Sequence, residues 1–374
     1  MKNVFALIDL HASPELGVLT EKRPVASTTV LGRYAFIDFA LSNLTNSGID
    51  DIGILIKDHF RSVVKHLTNN NTYLKNSKTG YFNLMLNEDG LKNPFFNTDI
   101  NNIRANDYFL YDQSSKYVIV IPVGFITRID YSKVIDEHIA SGKGVSCIYA
   151  PVKNAGVDFL GLNKYTINAL GNIQKVEEIT SKDDEVYLGL KTFVFNKEVL
   201  KDFLNKTASL SKAFSITDMM TYIQKYGDTN IHAIKNETPV RYVNSLEKYY
   251  NVSMELKELL GHDSCHFFDK EWKIYTRTHD TRPVLYGQKA SVKDSLIANG
   301  CTVHGTVENS ILARNVIVEE GASVKNSIIF TDCVIKSGVH LDGVIADKLC
   351  KFENKKEVKS SDGSLIYVPQ GVNL

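Results

Sequence analysis

Carboxylates set inside or at the end of apolar runs are the first residues in this chain that could do chemistry. Asp9 closes the run Val4 to Ile8, Asp38 sits in Phe36-Ile37-Asp38-Phe39, and Asp130 precedes Tyr131-Ser132-Lys133. A hard divalent cation takes oxygen ligands of this kind, and an open α/β sheet collects ligands at the carboxyl ends of its strands. Each of the three also has a plainer use, capping a helix or pairing with a base, and that is the role expected of it. Asp218, ahead of Met219-Met220, reads as a helix cap in the same way. His304 and His340 are expected at the surface or at chain corners. Gly142-Lys143-Gly144 is too short to cradle a phosphate and reads as a tight turn. Lys355-Lys356 lies between Glu353 and Glu357, which makes a solvated face and not a basic patch. The five cysteines, Cys147, Cys265, Cys301, Cys333 and Cys350, never stand as CxxC, which argues against zinc and against a disulfide framework.

The elements that must position these residues have two textures. Through about residue 245, short β-rich runs (Val4 to Ile8, Asp51 to Ile56, Tyr117 to Pro122, Val145 to Ala150, Val186 to Phe195) alternate with amphipathic stretches such as Tyr34 to Asn46 and Tyr131 to Ser141. That alternation predicts βαβ units, with Ser47-Gly48 stopping the first helix. From about residue 285 helix signals vanish and apolar positions step by six, as in Val316, Ala322, Ile328 and Val334, or Val318 and Val324, or Ile297 and Val303. A six-residue repeat is the pattern of a β-helix, whose coils bury one another's faces. The step slips near Asn309 and Ile329. Asn251 to Leu260 reads as a helix and Gly261 to Arg282 as a connection, so the domains are expected at 1–260 and 287–374 with a linker at 261–286.

The chain of 374 residues is long enough for two cores, and its zero formal net charge favours neither nucleic acid nor an acidic membrane surface. Its first apolar run meets Asp9, far short of the roughly 18 residues of a membrane span, and shows no signal-peptide cleavage pattern. A cytoplasmic location is expected.

Arg33-Tyr34-Ala35-Phe36-Ile37-Asp38-Phe39-Ala40-Leu41-Ser42-Asn43 followed by Asn46-Ser47-Gly48-Ile49 resembles the Y-R-I-I-D-F-P-L-S-N-x-x-N-S-G-I segment of glucose-1-phosphate adenylyltransferases, the ADP-glucose pyrophosphorylases. Ile129-Asp130-Tyr131-Ser132-Lys133 is similar to that family's M-D-Y-x-K. Leu188-Gly189-Leu190-Lys191-Thr192-Phe193 is similar to its M-G-x-Y-x-F, and Ile274-Tyr275-Thr276-Arg277 to its I-Y-T-R. The resemblance implies a Rossmann-like, GT-A-like mixed-sheet nucleotidyltransferase domain followed by a left-handed parallel β-helix. It implies a family reaction in which ATP and glucose 1-phosphate give ADP-glucose and pyrophosphate with Mg²⁺.

That chemistry depends on positioning and charge neutralisation, and the matching positions here lack the means. The family's glycine-rich G-G-x-G-x-R-L turn corresponds to Leu10-His11-Ala12-Ser13-Pro14-Glu15-Leu16, with no glycine and with Glu15 in place of the arginine. A carboxylate about 4 Å from a phosphate would repel it by about 4 kcal/mol at an effective dielectric near 20. Val25 takes the place of the A-K-P-A lysine, with Lys22 and Arg23 as the nearest cations. Gly124 and Tyr242 take the places of the two metal carboxylates. On the sugar side Glu177-Glu178-Ile179 lacks the E-K-P lysine.

The histidine base of related β-helix acyltransferases has no accompanying pattern around His304 or His340. Arg33 falls on a lysine that contributes to a sugar-phosphate effector site in some members, although the following arginine is Ala35. The resemblance as a whole implies a GlgD-type regulatory subunit, without catalytic residues or a cofactor of its own; an active adenylyltransferase with a divergent metal site and a free-standing sensor of a nucleotide or sugar phosphate are the alternative readings. The regulatory subunit would assemble into a hetero-oligomer, a tetramer in the family, with a homologous catalytic subunit that uses Mg²⁺, and it would answer to a sugar-phosphate or nucleotide effector.

Overall fold

A computed structural model describes residues 3–67, 73, 80–111, 115–210, 214–226, 230–260, 266–354 and 356–374. Cys265, Lys355 and part of the expected linker lie outside the described residues. The first texture builds one nine-stranded mixed sheet. In chain order its strands are β1 Val4–Asp9, β2 Asp51–Ile56, β3 Tyr81–Leu86, β4 Tyr117–Pro122, β5 Val145–Val152, β6 Asn163–Ile167, β7 Ile173–Glu178, β8 Val186–Asn196 and β9 His232–Lys235. Their spatial order is β7-β6-β8-β4-β1-β2-β3, with β5 paired to β8 and β9. Pairing is parallel from β4 through β1 and β2 to β3, and antiparallel where the long β8 crosses β4 and β5. β1 is buried at every position because it has neighbours on both edges and helices over both faces.

One face packs beneath α1 Phe36–Asn46, α2 Phe60–Leu67, α4 Tyr131–Ser141 and α7 Leu246–Leu259. The other is covered by α3 Asp99–Ala105, α5 Lys197–Leu210 and α6 Ile216–Tyr226. The helix expected from Tyr34 begins at Phe36 instead, since Tyr34–Ala35 pairs antiparallel with Thr29–Val30. α7 starts earlier than expected, at the Ser245 hydroxyl that accepts the Lys248 amide hydrogen at 3.1 Å. Gly142, in the left-handed region at φ 63°, ends α4, so the Gly-Lys-Gly stretch is the turn expected.

The second texture is a parallel β-helix of three five-stranded sheets, the left-handed hexapeptide arrangement. Along the first sheet Leu285 pairs with Thr302, then with Ile317, Val334 and Lys351 one coil apart. Most coils therefore take 17 residues where three strict hexads would take 18, and one side of the triangle runs five residues, as from Ser323 to Ile328. That short side is the slip in the hexad. Its corner is turned by Asp294, Asn309 and Asn326 at φ 44–46°, conformations such short polar side chains tolerate. The corner side chains form a ladder, Asn309 Nδ2 donating to Asn326 Oδ1 and Asn326 Nδ2 to Asp342 Oδ1, each at 2.8 Å.

The two parts share a core. Ile311, Ile328, Phe330 and Ile345 of the β-helix join the cluster that includes Phe36 and Tyr249. Arg23 and Asp347, both buried, form an ion pair at 2.5 Å across the junction, and the Tyr367 hydroxyl donates to the same carboxylate oxygen at 2.8 Å.

Candidate functional site

After β1 the chain crosses the carboxyl edge of the sheet as the loop Leu10 to Leu16, pinned by buried Leu10 and Leu16. Its conformation is fixed by His11. The Asn97 carbonyl can only accept and the Asn102 amide only donates, so Nδ1 carries the proton to Asn97 O (3.2 Å) and Nε2 accepts from Asn102 (3.1 Å). Burial, ahead of the Lys57 charge, lowers this imidazole to about 4, which keeps it neutral.

Beyond His11 the Pro14 ring lies against Gly124. A methyl group on Gly124 would stand 2.6 Å from Pro14 Cδ and 3.5 Å from Tyr242 Cε2, and Gly124 has φ +124°, open only to glycine. Phe125–Ile126 pairs with Arg241–Tyr242, bringing the Phe125 and Tyr242 rings to 4.6 Å, and burial pushes the Tyr242 hydroxyl up to about 12.

Positions 14, 124 and 242 thus meet at one point, as the resemblance requires of a phosphate loop and two metal carboxylates. What meets is a pyrrolidine ring, a glycine and a phenol ring. These residues do not fit Mg²⁺, which needs hard anionic oxygens, and among the described residues no group of three His, Cys, Asp or Glu side chains is placed to hold a metal. Glu15 is exposed and pairs with Lys57 at 3.1 Å, and the Pro14 ring beside it takes up the space in front of Gly124. Val25 is buried in a 3-10 turn, and Arg23, a nearby cation, is committed to Asp347.

The remaining carboxylates take the plainer roles. Asp130 accepts the Ser132 amide hydrogen at 3.0 Å as the cap of α4. Asp38 accepts from the Ala35 amide (2.9 Å), the Tyr73 hydroxyl (2.8 Å) and the His66 ring (2.6 Å). Asp218 forms a capping box with Ser215 at the start of α6. Asp9 accepts from the His11 amide at 2.8 Å and lies against Asp99, a residue that sequence reasoning missed. Burial and then the Asp99 charge hold Asp9 well above the usual carboxylate range. Burial raises Asp99 to about 6, offset in part by amide hydrogens of Ile216 and Ile100. Lys191, at φ 50° in β8, faces the same group and is lowered by burial against the charges of Asp9 and Asp218. His340 is exposed and hydrogen-bonded to Ser323 at 2.7 Å, and His304 is half-buried in the β-helix.

A second polar region lies in the seam below the β-helix. Arg33 is exposed with its guanidinium 5.2 Å from the Tyr34 ring centroid. Its carbonyl accepts from Arg314 Nη2 at 3.1 Å and Thr276 Oγ1 at 3.3 Å, and Arg277 donates to Lys65 O at 2.7 Å. Arg314 Nε is buried with no partner. Burial, then the charges of Arg33 and Arg277, bring Arg314 down to about 10. His279 is held at about 4 by partial burial, Arg314, Arg277 and His66. The seam thus gathers cations with donors to spare.

Residues 16–258 match the family described as Nucleotidyl transferase, and residues 283–362 match the one described as GlmU-like, C-terminal hexapeptide. The chain belongs to the nucleotidyl transferase family. Among its relatives are proteins named glucose-1-phosphate adenylyltransferase. That of Thermosipho melanesiensis is 27% identical over 86% of this chain and 77% of its own. That of Fervidobacterium nodosum is 28% identical over the same shares, and that of Acetivibrio thermocellus 29% identical over 96% of this chain and 80% of its own. Among the described residues of this nucleotidyl transferase chain no helix is long and apolar enough to cross a membrane.

Of the positions singled out in the sequence, Gly124 and Tyr242 come together with the loop after β1, while Glu15 is exposed and paired with Lys57 and Val25 lies in the core. Arg33 sits apart from them in the seam. Sequence reasoning missed Arg314 and His279, which no matched segment contained. An arginine inside a β-helix coil, directly after the buried Ala313, was the one available signal.

Proposed function

We propose that this nucleotidyl transferase chain is a non-catalytic subunit that assembles with a homologous catalytic glucose-1-phosphate adenylyltransferase and alters its turnover of ATP and glucose 1-phosphate. The observation that carries the reading is the Pro14 ring packed on Gly124 where a metal carboxylate would need room. Mg²⁺ would be held by the catalytic partner, and a mixed tetramer is the assembly expected. An effector bearing phosphate groups would bind in the seam at Arg33, Arg277 and Arg314, where the unpartnered Arg314 Nε supports an anion site. Such an effector acts only by binding one state of the assembly better than another.

The test is ADP-glucose formation by this chain alone, by a catalytic homologue alone and by both together, with and without sugar phosphates. Expected are no turnover by this chain and a changed rate or effector response in the mixture. Turnover by this chain at its homologue's rate overturns the proposal, and so does an unchanged mixture with no complex.

A further inference from the structure

Inside the β-helix a column of small side chains rises through four successive coils. Cys301, Val316, Cys333 and Cys350 each stand one residue ahead of the paired positions Thr302, Ile317, Val334 and Lys351, and all four are buried. Val316 separates Cys301 from the other two cysteines. Cys333 and Cys350 are direct neighbours, because their separation of 17 residues is one coil, and the Val334 amide donates to the Cys350 carbonyl at 2.9 Å. Adjacent strands lie about 4.8 Å apart, inside the roughly 4.4–6.8 Å that a disulfide spans between its Cα atoms. Joining the two sulfurs therefore needs side-chain rotation and little backbone movement. No CxxC spacing announces the pair, since the coil brings it together.

Both residues are free thiols, and the hydrogen bond between them makes them unequal. It holds Cys350 below the usual thiol range and, together with burial, holds Cys333 above it. More of Cys350 is thus available as thiolate, the form that attacks a disulfide. Each thiol also has a carbonyl acceptor within reach, Asp347 O at 3.0 Å from Cys333 Sγ and Pro369 O at 3.1 Å from Cys350 Sγ. Residues 371–374 lie over Cys350, with the Gly371 and Val372 amides directed at its sulfur. Gly371 and Asn373 are exposed, and Val372 and Leu374 are half-buried. A short, half-exposed segment of this kind opens locally at far lower cost than the coils unfold.

We propose that Cys333 and Cys350 are a modification site, converted reversibly to a disulfide by small-molecule disulfides of the glutathione class. When residues 371–374 lift, the Cys350 thiolate attacks one sulfur of glutathione disulfide, whose S–S bond breaks, and one glutathione leaves and takes up a proton. Cys333 then releases its proton to solvent and attacks Cys350 Sγ, expelling the second glutathione, which is protonated in turn. Two protein thiols and one glutathione disulfide become one protein disulfide and two glutathione thiols. The bridge removes the S–H donor from Asp347 O, and Asp347 is the residue whose carboxylate holds Arg23 across the junction. Nothing in the cleft takes part, so failure of this proposal would leave the non-catalytic reading standing.

The test is glutathione exchange on the full, folded chain, quenched with acid and followed by alkylation, digestion without reductant and peptide mass spectrometry. Expected is a peptide cross-linked through Cys333 and Cys350 that dithiothreitol reverses. It should form at least about ten times faster than any adduct at Cys147 or Cys301, which are buried without a thiol beside them among the described residues. Cys333→Ala should leave Cys350 as a mixed disulfide with glutathione, and Cys350→Ala should leave Cys333 unmodified; the wild-type cross-link decides even where a variant fails to fold. In the bridged chain the Asp347 amide, which donates to Val368 O at 2.9 Å, should exchange its hydrogen about threefold faster. The proposal is overturned by the absence of a cross-link in the folded chain, by a cross-link formed only in urea or with another cysteine, and by equal reaction at Cys147 and Cys301. A Cys350→Ala chain whose Cys333 reacts as fast as the pair, a folded Cys333→Ala chain whose Cys350 stays unmodified, or unchanged exchange at Asp347 overturns it as well.

Discussion

The cleft at the carboxyl edge of β1 and β4 and the seam beneath the β-helix are both places where this fold can gather charge, and they are built in opposite ways. In the cleft Pro14, Gly124, Phe125 and Tyr242 pack apolar surface together, and the nearby carboxylates Asp9 and Asp99 are buried against each other. In the seam Arg33, Arg277 and Arg314 stay together despite mutual repulsion, with Arg314 Nε unsatisfied. Filling a cleft with apolar contacts stabilises a fold, whereas keeping desolvated cations together costs it. A cost retained in one region while the other is filled points to a use for the seam.

The largest expected effect is at the junction. Arg23→Ala leaves the Asp347 carboxylate buried without its cation and should lose about 3–5 kcal/mol in urea unfolding, part of which Asp347→Asn restores. If the loss is under about 1 kcal/mol, the junction relaxes and the seam is not the rigid counterpart of the cleft.

Next comes the cleft. Gly124→Ala forces a methyl group into Pro14 and should lose about 2–3 kcal/mol, with Pro14→Ala recovering most of it. Carboxylates restored at Gly124 and Tyr242 with Pro14 in place should yield no pyrophosphate release. Release from that variant would show that the ring moves aside.

A smaller effect separates the buried acids by pH. Asp99 stands at about 6 against 3.8 unfolded, so the fold keeps a proton that the unfolded chain sheds. That stabilisation is complete below pH 3.8 and is lost as the pH rises through 6; the raised Asp9 has the same sign. His11, at about 4 against 6.5, contributes stability above pH 6.5 that is lost as the pH falls through 4. Asp9→Asn removes one of the buried acids and leaves the His11 contribution. Thermal unfolding should show the variant gaining stability on the wild type above pH 6, and nothing near pH 4. A pH-independent difference would mean the pair carries no shared proton.

The smallest stability effect belongs to the seam. Arg314→Ala relieves repulsion while losing one hydrogen bond to Arg33 O, so it should change stability by less than about 1 kcal/mol. Titration calorimetry should show a phosphate-bearing ligand bound about tenfold more weakly. Equal binding by wild type and variant would remove the contrast between the two regions.

Much of the fold was legible in local pattern. Asp51–Ile56, Tyr117–Pro122 and Tyr131–Ser141 have the limits that apolar runs and caps suggest, because strand and helix periods are written in neighbouring residues. The hexad was legible too, but its slips made sense only as a 17-residue coil with one short side. Gly124 and Tyr242 could be picked out as losses by resemblance. That Pro14 fills the space between them could not be read, because the positions are distant in sequence and the packing of a ring on a glycine leaves no periodic trace. The pairing of Glu15 with Lys57 could not be read for the same reason: a loop's course depends on its anchors, here His11 on Asn97 and Asn102.

By itself the sequence determined the alternation of strands and helices, the β-helix, and the absence of the glycines and carboxylates that phosphate and metal chemistry require. Only the tertiary structure decided what stands in their place: a cleft closed by apolar packing, an acid pair joined from β1 and α3, and an arginine cluster assembled from three distant segments. The physical reason is that types and periods are local properties, whereas burial, desolvation and charge crowding arise when distant segments are brought within a few ångströms of one another.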